Sequence, residues 1–233
     1  MTINDATIFW INLDDRVDRA RACVKQIETL NLDITSIRIS AVSRQQIGVL
    51  PNTDNQHDFQ GVLACRRSHL KAMASFLESN SSYAIILEDD FRFSDFITKS
   101  EVSNLLLEMK RSDLQLLQIG FLPSGNRFKF PLFKIVSTLS IIIRKVKIHA
   151  YKKQITNQFV KWRLKPGSHA YIIDKRMALY ILNKSEVEPK VPYDLWLLKL
   201  SCSSKAEYGA PKSARLRFSI VEQNGVFKSD IQS

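Results

Sequence analysis

Residues 6–30, ATIFWINLDDRVDRARACVKQIETL, decide the fold class of this chain, because their side-chain pattern changes abruptly after residue 13. The first eight residues are nearly all apolar and rich in β-formers, which is typical of a strand buried on both faces of a sheet. A charged turn follows them. Apolar residues then recur at helical spacing from Val17 to Leu30, so the stretch predicts a strand, a turn and a helix.

The same alternation continues along the chain. We predict strands at 36–42, 83–90, 114–120 and 168–174, and helices at 61–78, 101–111, 175–183 and 193–202. Residues 43–60 are polar and predict a mobile loop. Alternating strands and helices favour an α/β fold with a mainly parallel, Rossmann-type sheet flanked by helices. In such sheets ligands bind beyond the carboxyl ends of the strands.

The composition is that of a globular protein. The chain has 233 residues, of which 45% are hydrophobic, enough for a sizeable core. The N-terminus carries no signal-peptide pattern, and the apolar run around 139–143 is too short to span a bilayer, so we expect a soluble, cytoplasmic protein. The three cysteines, Cys23, Cys65 and Cys202, lack C-x-x-C or Cys/His ligand spacing, which predicts reduced packing residues.

The positive charge is concentrated in one part of the sequence. The net charge is +11, and the stretch between Leu114 and Ile173 contains eleven lysines and arginines but no acidic residue. This stretch is interrupted by prolines and predicts a basic insertion or small subdomain. Its charge would attract phosphates on nucleotides, nucleic acid or an anionic membrane surface.

Three carboxylates follow the predicted strand at 83–90: Glu88, Asp89 and Asp90. Alternation along a strand directs Glu88 and Asp90 to one side and Asp89 to the other. Two carboxylates on one side can hold Mg²⁺ or Mn²⁺ together with substrate phosphates. The same residues can also form a solvated acidic turn.

The end of the first strand carries a second group of candidates, Asn12, Arg16 and Arg19. The Asn12 amide can hydrogen-bond a base or ribose, and the forked arginine donors suit phosphate. The alternative is a capped helix start with arginines on the helix surface.

Two histidines and one aspartate have equally open roles. Ser68 and His69 lie near the start of a helix and can meet an anionic ligand, although His69 also fits a core position. His169 is either a metal ligand or an ordinary strand residue. Asp194 is either a helix N-cap or a catalytic carboxylate at the end of an element.

Six segments in order carry a family resemblance. They are INLDDRVDR (11–19), GVLACRRSHLKAM (61–73), IILEDD (85–90), SHAYII (168–173), PYDLWL (192–197) and EQNGVFKSDI (222–231). Together they resemble the successive motifs of glycosyltransferase family 25, which includes bacterial lipooligosaccharide galactosyltransferases. The resemblance spans nearly the whole chain and covers the basic region least.

The resemblance implies a GT-A-like fold and an inverting transfer of a hexose, often galactose, from a UDP-sugar to an acceptor hydroxyl. It implies Mn²⁺ or Mg²⁺ as cofactor. Glu88 and Asp90, with His169 as a further candidate, would bind the metal. Donor binding would fall to Asn12, Leu13, Arg16, Arg19, Ser68, His69 and Asp89. Asp194 is the first candidate for the general base, and Asp90 is the second.

We therefore expect one glycosyltransferase domain over 1–233. Residues 1–122 would bind the nucleotide sugar, 123–167 would form the basic insertion, and 168–233 would form the acceptor side and C-terminal part. The expected acceptor is a lipooligosaccharide, lipopolysaccharide or capsule glycan. The basic insertion could dock the enzyme on the anionic inner face of the cytoplasmic membrane.

Two other classes use some of the same features. A metal-dependent phosphohydrolase or nuclease could use clustered carboxylates and a basic surface. A nucleic-acid-binding module would rest on the charge alone. We expect no nucleic-acid partner, because the sequence has no recognition-helix motif, zinc spacing or RNP-like aromatic strand.

Overall fold

The computed structural model describes residues 5–48, 56–95, 97–121, 160–161, 164–167, 169–185, 191–203, 212–216 and 219–223. The strands within these ranges are β1 (Ala6–Asn12), β2 (Thr35–Ser40), β3 (Tyr83–Glu88), β4 (Phe91–Phe93), β5 (Leu116–Gly120), β6 (Val160–Lys161), β7 (Ala170–Asp174), β8 (Ser213–Arg215) and β9 (Val221–Gln223). The helices are α1 (Val17–Leu30), α2 (Arg44–Ile47), α3 (Gln56–Glu78), α4 (Lys99–Arg111), α5 (Lys175–Asn183) and α6 (Tyr193–Ser203).

These strands form one sheet with the order β2-β1-β3-β7-β5-β8-β6, and β9 pairs with both β5 and β4. Among the described strands, β1, β2, β3, β5, β8 and β9 run in one direction, whereas β4, β6 and β7 run in the other. The sheet is therefore mostly parallel and is flanked by helices, which confirms the predicted α/β class. The antiparallel β7 lies in the middle of the sheet, between β3 and β5.

The sheet is covered on both faces. Every residue of β1 is buried, and its side chains alternate between two hydrophobic clusters. Ile8 faces the cluster that α1 and α4 cover, which contains Cys23 and Met109. Phe9 faces the cluster that α3, α5 and α6 cover, which contains Phe76. A strand that must bury both faces needs a nearly continuous apolar run, which residues 6–11 supply with Thr7 as the one polar residue.

The long connection between β5 and β7 has both of its ends fixed to the sheet. Gly120, the last residue of β5, is the register partner of Ala170, the first residue of β7. The buried Gln118 amide donates to the carbonyl oxygens of Lys165 (2.7 Å) and Gly167 (2.6 Å), and its oxygen accepts from the Lys165 N–H (2.8 Å). The connection therefore leaves and rejoins the sheet at one edge, the edge where β3 ends.

The structure differs from the sequence prediction within 43–60, where a mobile loop was expected. Ser43 caps the short helix α2, because its Oγ accepts from the Gln46 N–H (3.3 Å) while Gln46 Oε1 accepts from the Ser43 N–H (2.8 Å). Helix α3 begins at Gln56 rather than at Gly61. The loop prediction is therefore wrong for α2 and for the first turn of α3, while residues 49–55 lie outside the described residues.

Most of the predicted basic insertion, residues 122–159, also lies outside the described residues. The division of the chain at residue 122 stays a prediction.

Among the helices that the structure describes, we find none with both the length and the apolar character required to cross a membrane.

Candidate active site

The acidic turn lies at the carboxyl edge of the sheet. Glu88 is the last residue of β3, and Asp89 and Asp90 form the turn that leads into β4. Because β1, β2 and β3 are parallel neighbours, the residues that follow them meet at this edge. A cleft of about 370 Å³ opens there. Its lining residues are Ile11, Asn12, Leu13, Asp15, Arg16, Arg19, Ala41, Val42, Ser43, Arg44, Gln45, Gly61, Ala64, Cys65, Ser68, His69, Glu88, Asp89, Asp90 and Gln223.

Asp89 is held by two side chains from the region of β1 and α1. The Asn12 amide donates to Asp89 Oδ2 (2.8 Å), and Arg19 Nη1 donates to Asp89 Oδ1 (2.9 Å). The Arg19 and Asp89 side chains are only 5% and 11% exposed, so their charges neutralise each other away from water. Asn12 is fully engaged, since its Oδ1 accepts from Arg38 Nε (3.0 Å). These contacts fix the acidic turn against the end of β1.

Asp90 has a different environment. Its Oδ1 is buried and has no hydrogen-bond partner among the described residues. Burial, as the largest cause, and the negative charges of Glu88 and Asp89 together raise the pKa of Asp90 to about 7. Arg19 opposes this shift only partly because Asp89 already binds it. A buried carboxylate oxygen without a hydrogen-bond donor among the described residues, close to the charges of two other carboxylates, is suited to accept a cation.

Glu88 contacts a chain of aromatic side chains that leads into the core. Its Oε1 lies 3.3 Å from His69 Nε2, and His69 Nδ1 lies 2.9 Å from the Tyr171 hydroxyl. The Tyr171 hydroxyl in turn lies 3.0 Å from that of Tyr193. The His69 ring stacks on Tyr193 with a centroid distance of 4.1 Å and an interplanar angle of 7°. His69 is therefore held rigidly, with one edge towards the cleft.

Cys65 lies one helical turn before His69 on α3 and also lines the cleft. Burial raises the pKa of its thiol well above the usual value, and the charges of Glu88, Asp194 and Asp90 add to the shift. The thiol is therefore protonated at neutral pH. The ligand atoms of Cys65, His69 and Glu88 lie within 4.8 Å of one another.

The other wall of the cleft is formed by α2 and the start of α3. Ser68 Oγ accepts from the Val42 N–H (2.8 Å) and donates to the Ala64 carbonyl (2.7 Å), so it ties α3 to the segment before α2. The Arg44 guanidinium lies over Gly61. A Cβ atom at that glycine would stand only 3.0 Å from Arg44 Nε. Gly61 therefore leaves the space that the arginine occupies along the cleft wall.

Two predicted site residues lie outside the cleft lining. Asp194, in the first turn of α6, accepts from the Gly167 N–H (2.9 Å) and from the Leu195 N–H (2.8 Å). His169 is buried, and its Nε2 lies 3.1 Å from the Val221 carbonyl oxygen. Burial lowers the pKa of His169, so its ring is neutral at neutral pH. Their roles as general base and metal ligand stay predictions.

The sequence profile of glycosyltransferase family 25, described as LPS biosynthesis protein, matches residues 5–197 of this chain. The chain belongs to glycosyltransferase family 25. The match covers both the acidic turn and the α3 segment that carries Cys65 and His69. Membership of this family makes the protein a glycosyltransferase and argues against the phosphohydrolase, nuclease and nucleic-acid-binding alternatives. It implies a nucleotide-sugar donor and a glycan acceptor.

The comparison with solved structures concerns the fold alone. The protein is similar to a glycosyltransferase involved in the glycosylation of the major capsid of PBCV-1, with a TM-score of 0.50 and 8% sequence identity, over 96% of this chain and 94% of that chain. A197 from STIV matches with a TM-score of 0.35 and 12% identity, over 95% of this chain and 83% of that chain. Among curated proteins, none matches the sequence of this chain. The first similarity is consistent with the GT-A-like fold that the motifs implied.

The family 25 motifs located most of the cleft residues but not all of them. Leu13, Arg16 and the acidic turn lie where we expected them, at the edge of the cleft. Arg44 and Gln45 were missed because the segment after β2 was predicted as a loop. The signal that could have found α2 is the capping box, Ser43 followed by Gln46 three residues later.

Proposed function

We propose that this glycosyltransferase moves a hexose, with galactose favoured, from a UDP-sugar to a hydroxyl of a lipooligosaccharide, lipopolysaccharide or capsule glycan. The observation that carries the proposal is a buried oxygen of Asp90 in a cleft at the carboxyl edge of the sheet, next to Glu88, for which the described part of the chain supplies no hydrogen-bond donor. Three adjacent carboxylates would repel an anionic donor by themselves. They suit a donor that arrives with a divalent cation.

Glu88 and Asp90 are the residues that would hold Mn²⁺ or Mg²⁺. Carboxylate oxygens are the ligands these ions prefer, and the orphaned Asp90 oxygen fits that role. When bound, the ion would supply charge neutralisation for the departing diphosphate. Asp89 would act differently from its neighbours. Its pairing with Arg19 and Asn12 would hold the turn so that Glu88 and Asp90 keep their positions.

Arg16 and Arg44 are the cations we assign to the donor phosphates. Both line the cleft, one at the start of α1 and the other on α2. Guanidinium groups bind phosphate through paired, charge-assisted hydrogen bonds. Arg19, which we first expected in this role, is buried against Asp89, so we assign it to positioning the acidic turn instead.

The transfer itself needs a base on the acceptor side. The base takes the proton of the acceptor hydroxyl while that oxygen forms a bond to the anomeric carbon and the bond from this carbon to the diphosphate oxygen breaks. A single displacement of this kind inverts the anomeric centre. Asp194 is our first candidate, because two backbone N–H groups hold its carboxylate in one orientation. Asp90 is the second.

The basic stretch between Leu114 and Ile173 supports a membrane-associated acceptor. Its eleven positive charges without an acidic residue are suited to an anionic membrane surface. We therefore propose that the enzyme acts peripherally on the inner face of the cytoplasmic membrane. Comparing the glycolipid mass spectra of a strain with and without this protein would identify the acceptor and the sugar. Identical spectra would contradict a glycolipid acceptor.

Donor binding can be tested by thermal unfolding with Mn²⁺ and a panel of UDP-sugars. We expect one donor to raise the melting temperature selectively, only when Mn²⁺ is present. Asp90→Ala should abolish this rise while the protein stays folded. Asp95→Ala is a matched control, because Asp95 is exposed and lies outside the cleft lining. The proposal fails if no UDP-sugar shifts the melting temperature, and the metal assignment fails if Asp90→Ala still responds.

A further inference from the structure

Three side chains of different chemistry converge on one wall of the cleft. Cys65 and His69 are four residues apart on α3, so they project from the same face of the helix. Glu88 reaches them from the end of β3. The thiol sulfur, a ring nitrogen and a carboxylate oxygen all lie within 4.8 Å of one another. This spacing is suited to three ligands around a single ion.

The chemistry of the three ligands selects the ion. Mg²⁺ and Mn²⁺ favour oxygen ligands, whereas Zn²⁺ binds thiolate, imidazole and carboxylate in tetrahedral sites. Three protein ligands leave a fourth position, which here would face the cleft. We propose that Cys65, His69 and Glu88 form a zinc site beside the position of the Mn²⁺ or Mg²⁺ ion that the donor requires.

The surroundings of His69 support this assignment. A histidine that binds zinc through Nε2 has its Nδ1–H donated to a second group, which fixes the tautomer. Here His69 Nδ1 lies 2.9 Å from the Tyr171 hydroxyl, and Nε2 faces Glu88. Stacking on Tyr193 fixes the plane of the ring. The imidazole is therefore already oriented for Nε2 to bind a metal.

Zinc binds cysteine as the thiolate, so the proton of the Cys65 thiol would be released when the ion binds.

Glu88 links the zinc site to catalysis. It is also one of the two carboxylates that we assign to the donor-site cation, and this part of the inference rests on the proposed function. A zinc ion that uses Glu88 as a ligand takes it away from Mn²⁺. Zinc should therefore inhibit donor binding by occupying a neighbouring site that shares one ligand.

Direct metal binding tests the site without any sugar donor. Co²⁺ serves as a spectroscopic substitute for Zn²⁺, because a cobalt–thiolate bond gives a near-ultraviolet charge-transfer band. We expect the wild-type protein to show this band and to bind Zn²⁺ in calorimetry. Cys65→Ser should remove the band and weaken zinc about 100-fold, and Tyr171→Phe should weaken it about 10-fold through loss of the His69 orientation.

Cys23→Ser is the matched control, because Cys23 is a second free thiol that does not belong to the cluster. It should keep both the band and the zinc affinity. The site is overturned if the wild-type protein binds no zinc, or if Cys65→Ser binds Co²⁺ and Zn²⁺ as the wild type does. A band that disappears in Cys23→Ser instead would also overturn it.

Competition then separates this inference from the proposed function. Zinc should raise the Mn²⁺ concentration that the wild type needs for half-maximal UDP-sugar binding, and Cys65→Ser should abolish that shift. Donor binding with Mn²⁺ but no zinc binding refutes the zinc site and leaves the proposed function intact. Zinc binding that depends on Cys65, without binding of any UDP-sugar, supports the site and contradicts the proposed function.

Discussion

The Asp90→Asn substitution should change how the stability of the metal-free protein depends on pH. Burial and the charges of Glu88 and Asp89 raise the pKa of Asp90 from 3.8 to about 7. Between these values the folded protein keeps a proton that the unfolded chain has already released. The folded state therefore binds more protons, and the free energy of unfolding falls as the pH rises through this window.

The size of the effect follows from the pKa shift. A full pH unit inside the window corresponds to about 1.4 kcal/mol, and the slope is halved where the pH reaches the folded pKa. The wild type should therefore lose about 2 kcal/mol between about pH 5 and about pH 7 through this group. Asp90→Asn cannot titrate and should lack this part of the pH dependence. Urea unfolding in the presence of a chelator at both pH values measures the difference between the two proteins.

Asp89→Asn is the neighbouring control. It removes the carboxylate that lies 2.9 Å from Arg19 Nη1 in a buried pair, so we expect a loss of about 3 kcal/mol at pH 7. It also removes one of the charges that raise the pKa of Asp90, so its unfolding free energy should depend less on pH than that of the wild type. If the wild type and Asp90→Asn show the same slope of unfolding free energy against pH, Asp90 is not a buried carboxyl with a raised pKa. The interpretation of the turn as a cation site would then lose its physical basis.

Three further changes test the cleft wall and the sheet edge. Arg44→Ala should weaken UDP binding about tenfold with little change in unfolding free energy, because it removes a charge-assisted phosphate contact; equal affinity in a titration of UDP would contradict its role. Gly120→Ala should lower the free energy of unfolding, measured in urea, by about 1–3 kcal/mol, because the new Cβ would lie 2.6 Å from His169 Nε2. An unchanged urea midpoint would contradict this and show that the backbone at the end of β5 can shift to make room. Gln118→Leu should cost about 3 kcal/mol by leaving buried backbone groups of the returning connection unsatisfied; a wild-type melting temperature would contradict that anchoring.

The sequence predicted the elements whose patterns are local. The helical spacing gives the observed boundaries of α1, and the apolar run gives those of β1 to within one residue. A strand buried on both faces and a helix buried on one face have different periodicities of apolar residues, so the two could be told apart. The direction of β7 could not be predicted in the same way. It depends on where the connection after β5 rejoins the sheet, and the residues of β7 are buried equally well in either direction.

The candidate site shows the same division between local and long-range information. The acidic turn was predicted because three carboxylates directly follow an apolar strand. The different environments of these carboxylates could not be predicted, because they depend on contacts with distant parts of the chain. Asp89 pairs with Arg19, 70 residues away in the sequence, and Glu88 contacts His69 on α3. Cys65 was predicted as a packing residue, and its place in the cleft depends on how α3 crosses the sheet edge.

The pairing of Gly120 with Ala170 has an evolutionary consequence. In topological terms, β5 and β7 form an antiparallel stem into which the segment between these two residues is inserted, and this segment contributes β6 to the sheet through its pairing with β8. The entropic cost of closing a loop grows only with the logarithm of its length. Segments of very different length can therefore be inserted at this point with little change in the free energy of folding. Because the stem opens beside the acidic turn, such exchanges could diversify which acceptors the enzyme reaches without altering how its scaffold folds.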